Sequence, residues 1–180
     1  IVTDIKPYIE RKLFTVNTGH AVTAYIGYSA GKETIDEALE DPQIYQMVKE
    51  TVEETGNYLI KRYDLNPAEH HQYIEKILER FQNKFFKDDV RRVGRSPIRK
   101  LGPEDRLVRP AREALKLGLP FTHLAQAIAF CLKFDVDTDQ EAVELQKQLK
   151  EKGIQAVLQD ICKLDKDNPI AKEVIRFYEK

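Results

Sequence analysis

TIDEALEDPQIYQMVKETVEETGNYLIKRYDLNPAEHHQYIEKILERF, residues 34–81, is a run of helices punctuated in one style. Thr34 and Glu37 stand at capping-box spacing, in which each side chain satisfies an orphan backbone donor at a helix start. Asp41–Pro42 and Asn66–Pro67 each read as an N-cap followed by proline at the first helical position, where the absent N–H is not missed. After Pro42, the side chains Ile44, Met47, Val48, Val52, Tyr58 and Leu59 fall near one helical face. After Pro67, Tyr73, Ile74, Ile77, Leu78 and Phe81 do the same.

The same punctuation extends in both directions. Asp4, with Pro7 in the first turn, starts a segment predicted to be helical toward Tyr28, with Gly27 and Gly31 marking its end. Pro120 opens an apolar stretch through Leu124, Ala127, Ile128, Cys131 and Leu132. Residues 137–152 read as a charged helix that Gly153 stops, and Asn168–Pro169 repeats the capped start. Strand alternation is nearly absent, and no repeat of 20–50 residues is visible. We therefore expect an all-α, multi-helix fold of eight or nine helices, with residues 1–180 forming one domain. Residues 87–103, KDDVRRVGRSPIRKLGP, break the rhythm at Gly94, Pro97, Gly102 and Pro103, and mark an irregular, functional segment.

Composition narrows the function classes. Charged residues make up 33% of the 180 and the net charge is −1, so attraction of the whole molecule to nucleic acid or anionic lipid is not expected. No apolar run reaches the roughly 20 residues of a membrane-spanning helix, and no secretory signal is visible. Cys131 and Cys162 are far apart, sit in apolar surroundings and form no metal-type spacing, so both are expected to be buried, reduced thiols of a cytoplasmic protein. The chain opens on Ile1 and its one methionine is Met47, which suggests a piece cut from a longer polypeptide.

The candidate chemistry lies in Lys12-x4-Asn17-x2-His20. On an α-helix, Asn17 is roughly 140° and His20 roughly 80° from Lys12, so all three can project into one cavity. Gly19 is expected to let a backbone or ligand approach closely. A desolvated lysine can take a hydroxyl proton, while an amide and an imidazole can donate to the oxygen as charge develops on it. Such a set suits metal-free alcohol oxidation, but it contains no hydride acceptor. The same triple also reads as unrelated residues of an ordinary helix.

A second feature is a basic run. Arg91, Arg92, Arg95, Arg99, Lys100, Arg106, Arg109 and Arg112 are opposed only by Glu104 and Asp105. Such a cluster fits a phosphate, and it also fits a solvated face.

ERKLFTVNTGHAVTAYIGY at 10–28 resembles the signature of the polyol-specific long-chain dehydrogenases and reductases. LIKRY at 59–63, KDDVRRVGRSPIRKL at 87–101 and EALKLGLPF at 113–121 extend the similarity toward the members acting on mannitol 1-phosphate. The resemblance runs the length of the chain. It implies a helical C-terminal substrate and catalytic domain like those of 6-phosphogluconate-dehydrogenase-like proteins. It further implies NAD held mainly by an N-terminal Rossmann domain, and interconversion of D-mannitol 1-phosphate and D-fructose 6-phosphate without a metal. Lys12 would be the general acid–base, Asn17 and His20 would orient and polarise the oxygen, and Arg92, Arg95, Arg99 and Lys100 would contact the substrate. One departure is large: no two glycines stand as Gly-x-Gly, so the dinucleotide fingerprint is missing and the cofactor half is expected upstream of Ile1.

Other residues are read as structural. His70 and His71 are expected at the surface or in a cap, His123 has no evident partner, and Tyr58, Tyr63, Phe81, Phe85 and Phe86 are expected to pack between helices. Two competing functions are kept: a helical nucleic-acid-binding module using residues 91–112, and a non-catalytic helical interaction scaffold. The scaffold's marker would be Lys12, Asn17 and His20 pointing apart or into ion pairs.

Overall fold

The structure, a computed structural model, describes residues 5–180. Eleven α-helices and one π-helical turn account for the regular structure among these residues, and the β pairing is confined to an isolated bridge between Thr34 and Asp89. The all-α expectation holds. The excess over eight or nine helices comes from short pieces in segments read as irregular.

The first helical rod has three parts: α1 (Lys6–Arg11), a π-helical turn π1 (Lys12–Asn17) and α2 (Thr18–Ser29). Asp4 lies outside the described residues, and Ile5 starts α1 with no side-chain cap. α2 is apolar on nearly every side and, His20 apart, is buried from Thr18 to Gly27, as expected for a helix at the centre of a bundle. Around it pack α3 (Ile35–Glu40), α4 (Pro42–Tyr63), α6 (Val90–Gly94) and α9 (Thr122–Leu132). α5 (Pro67–Phe81) lies on α4, and α11 (Pro169–Tyr178) lies on α9. α7 (Pro97–Lys100), α8 (Val108–Lys116) and α10 (Gln140–Asp160) complete the set.

The local signals are realised with informative exceptions. Asp41, Asn66 and Asn168 accept from the first free N–H groups of their helices. Thr34 accepts from the Glu37 N–H at 3.4 Å, but the Glu37 carboxylate reaches the N–H of Glu33 rather than of Thr34, so the capping box is displaced by one residue. Gly31, at φ 71°, follows the end of α2, whereas Gly27 is inside it: a Cβ there would lie 2.8 Å from Ala38 Cβ. Gly153, at φ 81°, breaks α10 as expected. Cys131 and Cys162 are buried and free, and burial pushes both thiols well up, Cys131 to about 12.

Two structural expectations are corrected. Phe85 and Phe86 are 95% and 60% exposed in the loop after α5, not packed between helices. His70 is 1% exposed, because it shares an inward stripe of α5 with Ile74 and Ile77 while His71 faces out. Its ring lies against Gly56 of α4, and neither nitrogen finds a hydrogen-bond partner. Burial lowers the His70 pKa to about 4, helped by the nearby Arg11.

A neutral-favouring fold makes stability pH-dependent, since the unfolded chain takes up the proton first. The contribution is complete above about 6.5 and is lost as pH falls toward about 4. At full strength the shift is worth roughly 3 kcal/mol, of which on the order of 2 kcal/mol is lost by pH 4.5, where the folded-state imidazole is still mostly neutral. His70→Leu is expected to remove that share of the acid sensitivity in urea unfolding at pH 7 and 4.5. Equal losses of stability in parent and variant would contradict it.

Candidate active site

The π turn shapes the site. Its i→i+5 ladder closes between the Thr18 N–H and the Leu13 carbonyl, and such turns recur at functional sites. Two long-range contacts hold it. The Thr55 hydroxyl of α4 donates to the Phe14 carbonyl at 2.7 Å, and Thr18 donates to Leu13 O at 3.2 Å and to Arg106 O at 2.6 Å. An i→i+5 repeat brings Asn17 closer in angle to Lys12 than the 140° assumed for an α-helix.

Asn17 and His20 share the wall of one cavity of about 190 Å³ with Ala21, Arg92, Val93, Arg95, Arg99, Lys100 and Arg106. Every basic residue chosen from the sequence therefore meets the amide and the imidazole. Asn17 and His20 and the basic segment, 70 to 90 residues apart in sequence, form one concavity.

Lys12 does not line it. The expectation that all three motif residues share a cavity is corrected for this chain: Lys12 is exposed, and no hydrogen bond or ion pair reaches its ammonium among the described residues. The surface around it is distinctive. Ile5, Tyr8 and Ile9, at 62%, 61% and 55% exposure, precede Lys12 at the spacing of one helical face. Gly19 is also corrected. A Cβ there would meet Val52 Cγ1 at 3.0 Å and Phe81 Cε2 at 3.2 Å, so the glycine serves packing against α4 and α5, not a ligand.

His20 is held on two sides. Its ring stacks on Phe81, with centroids 5.0 Å apart, and Nε2 lies 3.2 Å from Asp88 Oδ2. Burial lowers its pKa, against the upward pull of Asp88, while Arg92 and Lys100 add to the lowering. With Nε2 turned to Asp88, Nδ1 accepts from a hydroxyl while the ring is neutral and donates once it is protonated. Asp88 also pairs with Arg92 through its other oxygen.

The basic residues differ in what they are free to do. Lys100 is 3% exposed and donates to the carbonyls of Val93 and Arg95, which leaves one of its three N–H groups for a ligand. Burial first, and then the charge of Arg106, bring its pKa down to about 8. Arg99 is largely exposed, 3.5 Å from Asp105. Ser96 joins α6 to α7 in a left-handed conformation at φ 60°, with its N–H held by Asp139 at 2.7 Å. A non-glycine residue there is uncommon and commits the turn to one shape. Arg109 and Arg112 turn away, to Glu10 and Glu104. His123 lies 3.4 Å from Glu50.

The profile of the mannitol dehydrogenase C-terminal domain matches residues 4–180. The chain belongs to that family. Among its relatives within mannitol dehydrogenases, the mannitol-1-phosphate 5-dehydrogenases of Bacillus licheniformis and Bacillus subtilis are each 51% identical to it, across 97% of this chain and 46% of theirs. The chain thus spans a little under half the length of these relatives. The fold of the mannitol dehydrogenase domain is also that of two solved structures. One is a Pseudomonas fluorescens mannitol 2-dehydrogenase in ternary complex with NAD and D-mannitol (TM-score 0.78, 18% identity, 99% of this chain and 39% of that one). The other is a D-sorbitol dehydrogenase in substrate-free form (TM-score 0.76, 19% identity, the same coverage). The resemblance read from residues 10–28 and from the later stretches is thereby established at the level of the family.

Three residues of this mannitol dehydrogenase domain escaped the sequence reading: Asp88, which holds His20; Arg106, which completes the basic wall; and, off the cavity wall, Glu10, buried two residues before Lys12. Arg106 had a signal, since it stands in the basic run after Gly102–Pro103. Glu10 had none, because a glutamate in a charged helix reads as surface. Among the described residues no group of three or more His, Cys, Asp or Glu could hold a metal, and no helix is long and apolar enough to cross a membrane.

Proposed function

We propose that residues 1–180 form the C-terminal catalytic and substrate-binding domain of a cytoplasmic, NAD-dependent dehydrogenase that interconverts D-mannitol 1-phosphate and D-fructose 6-phosphate. The observation that carries the reading is the single cavity in which Asn17 and His20 face Arg92, Arg95, Arg99, Lys100 and Arg106. One end suits an alcohol or carbonyl oxygen and the other a phosphate. The 51% identical relatives bear the name mannitol-1-phosphate 5-dehydrogenase, which supports the same substrate.

This chain offers no dinucleotide cradle of its own. It has no Gly-x-Gly, and its described residues form no sheet. NAD is therefore held mainly by an N-terminal Rossmann domain, and it supplies the hydride acceptor when bound. The exposed stripe Ile5, Tyr8 and Ile9, continuous with Lys12, is the face on which that domain closes. Closure dries the Lys12 amine, which then takes the proton of the reacting hydroxyl and returns it in the reverse direction. Asn17 donates to the oxygen as charge gathers on it, and His20, with Nε2 on Asp88, accepts from the hydroxyl through Nδ1 while neutral and donates to the oxygen once protonated. Arg92, Arg95, Arg99 and Lys100 hold the substrate.

The nucleic-acid reading loses support from the same geometry. Five of the eight basic residues line a cavity of about 190 Å³, too small for a duplex, and two more are paired with Glu10 and Glu104. The scaffold reading gains from Lys12's exposure and from the His20–Asp88 pair, and loses from the shared wall of Asn17, His20 and the basic cluster.

The purified 180-residue chain is expected to show no dehydrogenase activity with NAD and mannitol 1-phosphate, followed at the NADH absorbance. Joined to the N-terminal half of a 51% identical relative, it is expected to turn the substrate over. Appreciable turnover by the chain alone, or none by the joined protein, overturns the proposal.

A further inference from the structure

Arg106 is less exposed than Arg92 and Arg99 on the same cavity wall and is tied down on two sides. Gly102 and Pro103 keep its segment out of a long helix, and its carbonyl accepts from the Thr18 hydroxyl at 2.6 Å, so the loop is tied to the motif helix beside Asn17. Asp105 Oδ1 accepts from both the Arg106 N–H at 2.7 Å and its Nε at 2.8 Å. The Arg106 side chain is 15% exposed, against 54% for Arg99 and 59% for Arg92. With Nε engaged, its two Nη groups make no hydrogen bond to protein among the described residues.

We propose that Arg106 is the specificity-determining residue that grips the phosphate of the hexitol phosphate, its Nη pair taking two phosphate oxygens beside the remaining N–H of Lys100. This rests on the sugar-phosphate reading above and deepens it. A guanidinium fork matches two phosphate oxygens, and a fork already fixed by Asp105 and Thr18 gives up less freedom on binding than an exposed one. The charge balance points the same way. Lys100 has carbonyl partners only, and Arg106 is the strongest charge acting against its protonated form. Two cations set close in a half-dry wall are relieved by an anion between them. Asp105 lies on the Nε side, where it orients the guanidinium. The exposed Arg95 and Arg99 are then rim residues that attract the anion.

The test is calorimetric titration of inorganic phosphate into the 180-residue chain and into Arg106→Gln and Arg106→Lys, each first checked for cooperative thermal unfolding. The parent is expected to bind. The glutamine variant should bind about tenfold to a hundredfold more weakly, the worth of hydrogen bonds to a charged group. The lysine variant should also be weaker, because charge without the fork is not enough, and it decides the matter if the glutamine variant does not fold. Equal binding by the folded variants, or no binding by the parent, overturns the assignment. In the full-length enzyme, Arg106→Gln should raise KM for mannitol 1-phosphate by a larger factor than it lowers kcat. If the enzyme turns over no hexitol phosphate, the sugar-phosphate reading fails, and phosphate binding by the chain still judges Arg106 on its own.

Discussion

Replacing Lys12 by alanine in the full-length enzyme is expected to lower kcat by roughly 10²–10⁴-fold, the usual worth of a positioned general acid or base. The same change in this chain should leave stability within about 0.5 kcal/mol, because an exposed side chain with no hydrogen bond or ion pair among the described residues contributes little. The two measurements together separate chemistry from folding. Lys12 begins the π turn that ends at Asn17, and it extends an exposed apolar stripe that water does not favour. A second domain seated on Ile5, Tyr8 and Ile9 would strip solvent from the ammonium, and desolvation disfavours a charged amine. A loss of less than tenfold in kcat, about 1.4 kcal/mol of barrier, would remove Lys12 from the mechanism.

The helices were legible in the sequence because their signals are local. Asp41, Asn66 and Asn168 cap as their spacing to proline implies, and of the α4 and α5 stripes Ile44, Val48, Val52, Tyr58, Leu59, Ile74, Ile77 and Leu78 are buried while Met47, Tyr73 and Phe81 are half-buried. The π turn was not legible, since it is held by the hydroxyl of Thr55 from another helix and by the tie from Thr18 to Arg106. No residue pattern within 12–17 announces either. The basic cluster was visible as charge, but the division of labour within it was not. Whether a cation is a rim arginine like Arg99, a buried brace like Lys100 or a fork fixed by a neighbouring aspartate depends on the turn at Ser96 and on the path of the loop after Gly102. His70 and Phe85 show the complementary failure. Each was read by its type, and the register of α5 and the end of that helix decided their burial instead.

Glu10→Ala is expected to lower the stability of this chain by about 3 kcal/mol. Glu10 is 3% exposed and lies at a junction of three helices. Its Oε2 accepts from the hydroxyls of Tyr58 at 3.0 Å and Tyr63 at 2.7 Å, both on α4, and its Oε1 accepts from Arg109 of α8 at 2.5 Å. The two tyrosines register the carboxylate: burial and then Glu10 raise both phenols, Tyr63 to about 12. Alanine leaves Arg109 without its inner partner and two hydroxyls without an acceptor, and each orphan costs about 1–3 kcal/mol when it stays dry. Arg109 keeps some contact with water and with Glu104, which holds the total near the lower end of the range for broken buried pairs. For a chain of this length the loss corresponds to roughly 6–12 °C in the unfolding midpoint. Removing both charges with Glu10→Ala and Arg109→Met should cost less than the two single changes added together, because the orphaned cation is gone. A drop of under about 1 kcal/mol for Glu10→Ala, or strict additivity of the pair, would show that the junction does not hold α1 in place. If the junction holds, the loss also reaches catalysis. α1 runs directly into the π turn, so the helices that Glu10 ties together set the direction in which the proposed general base Lys12 is held.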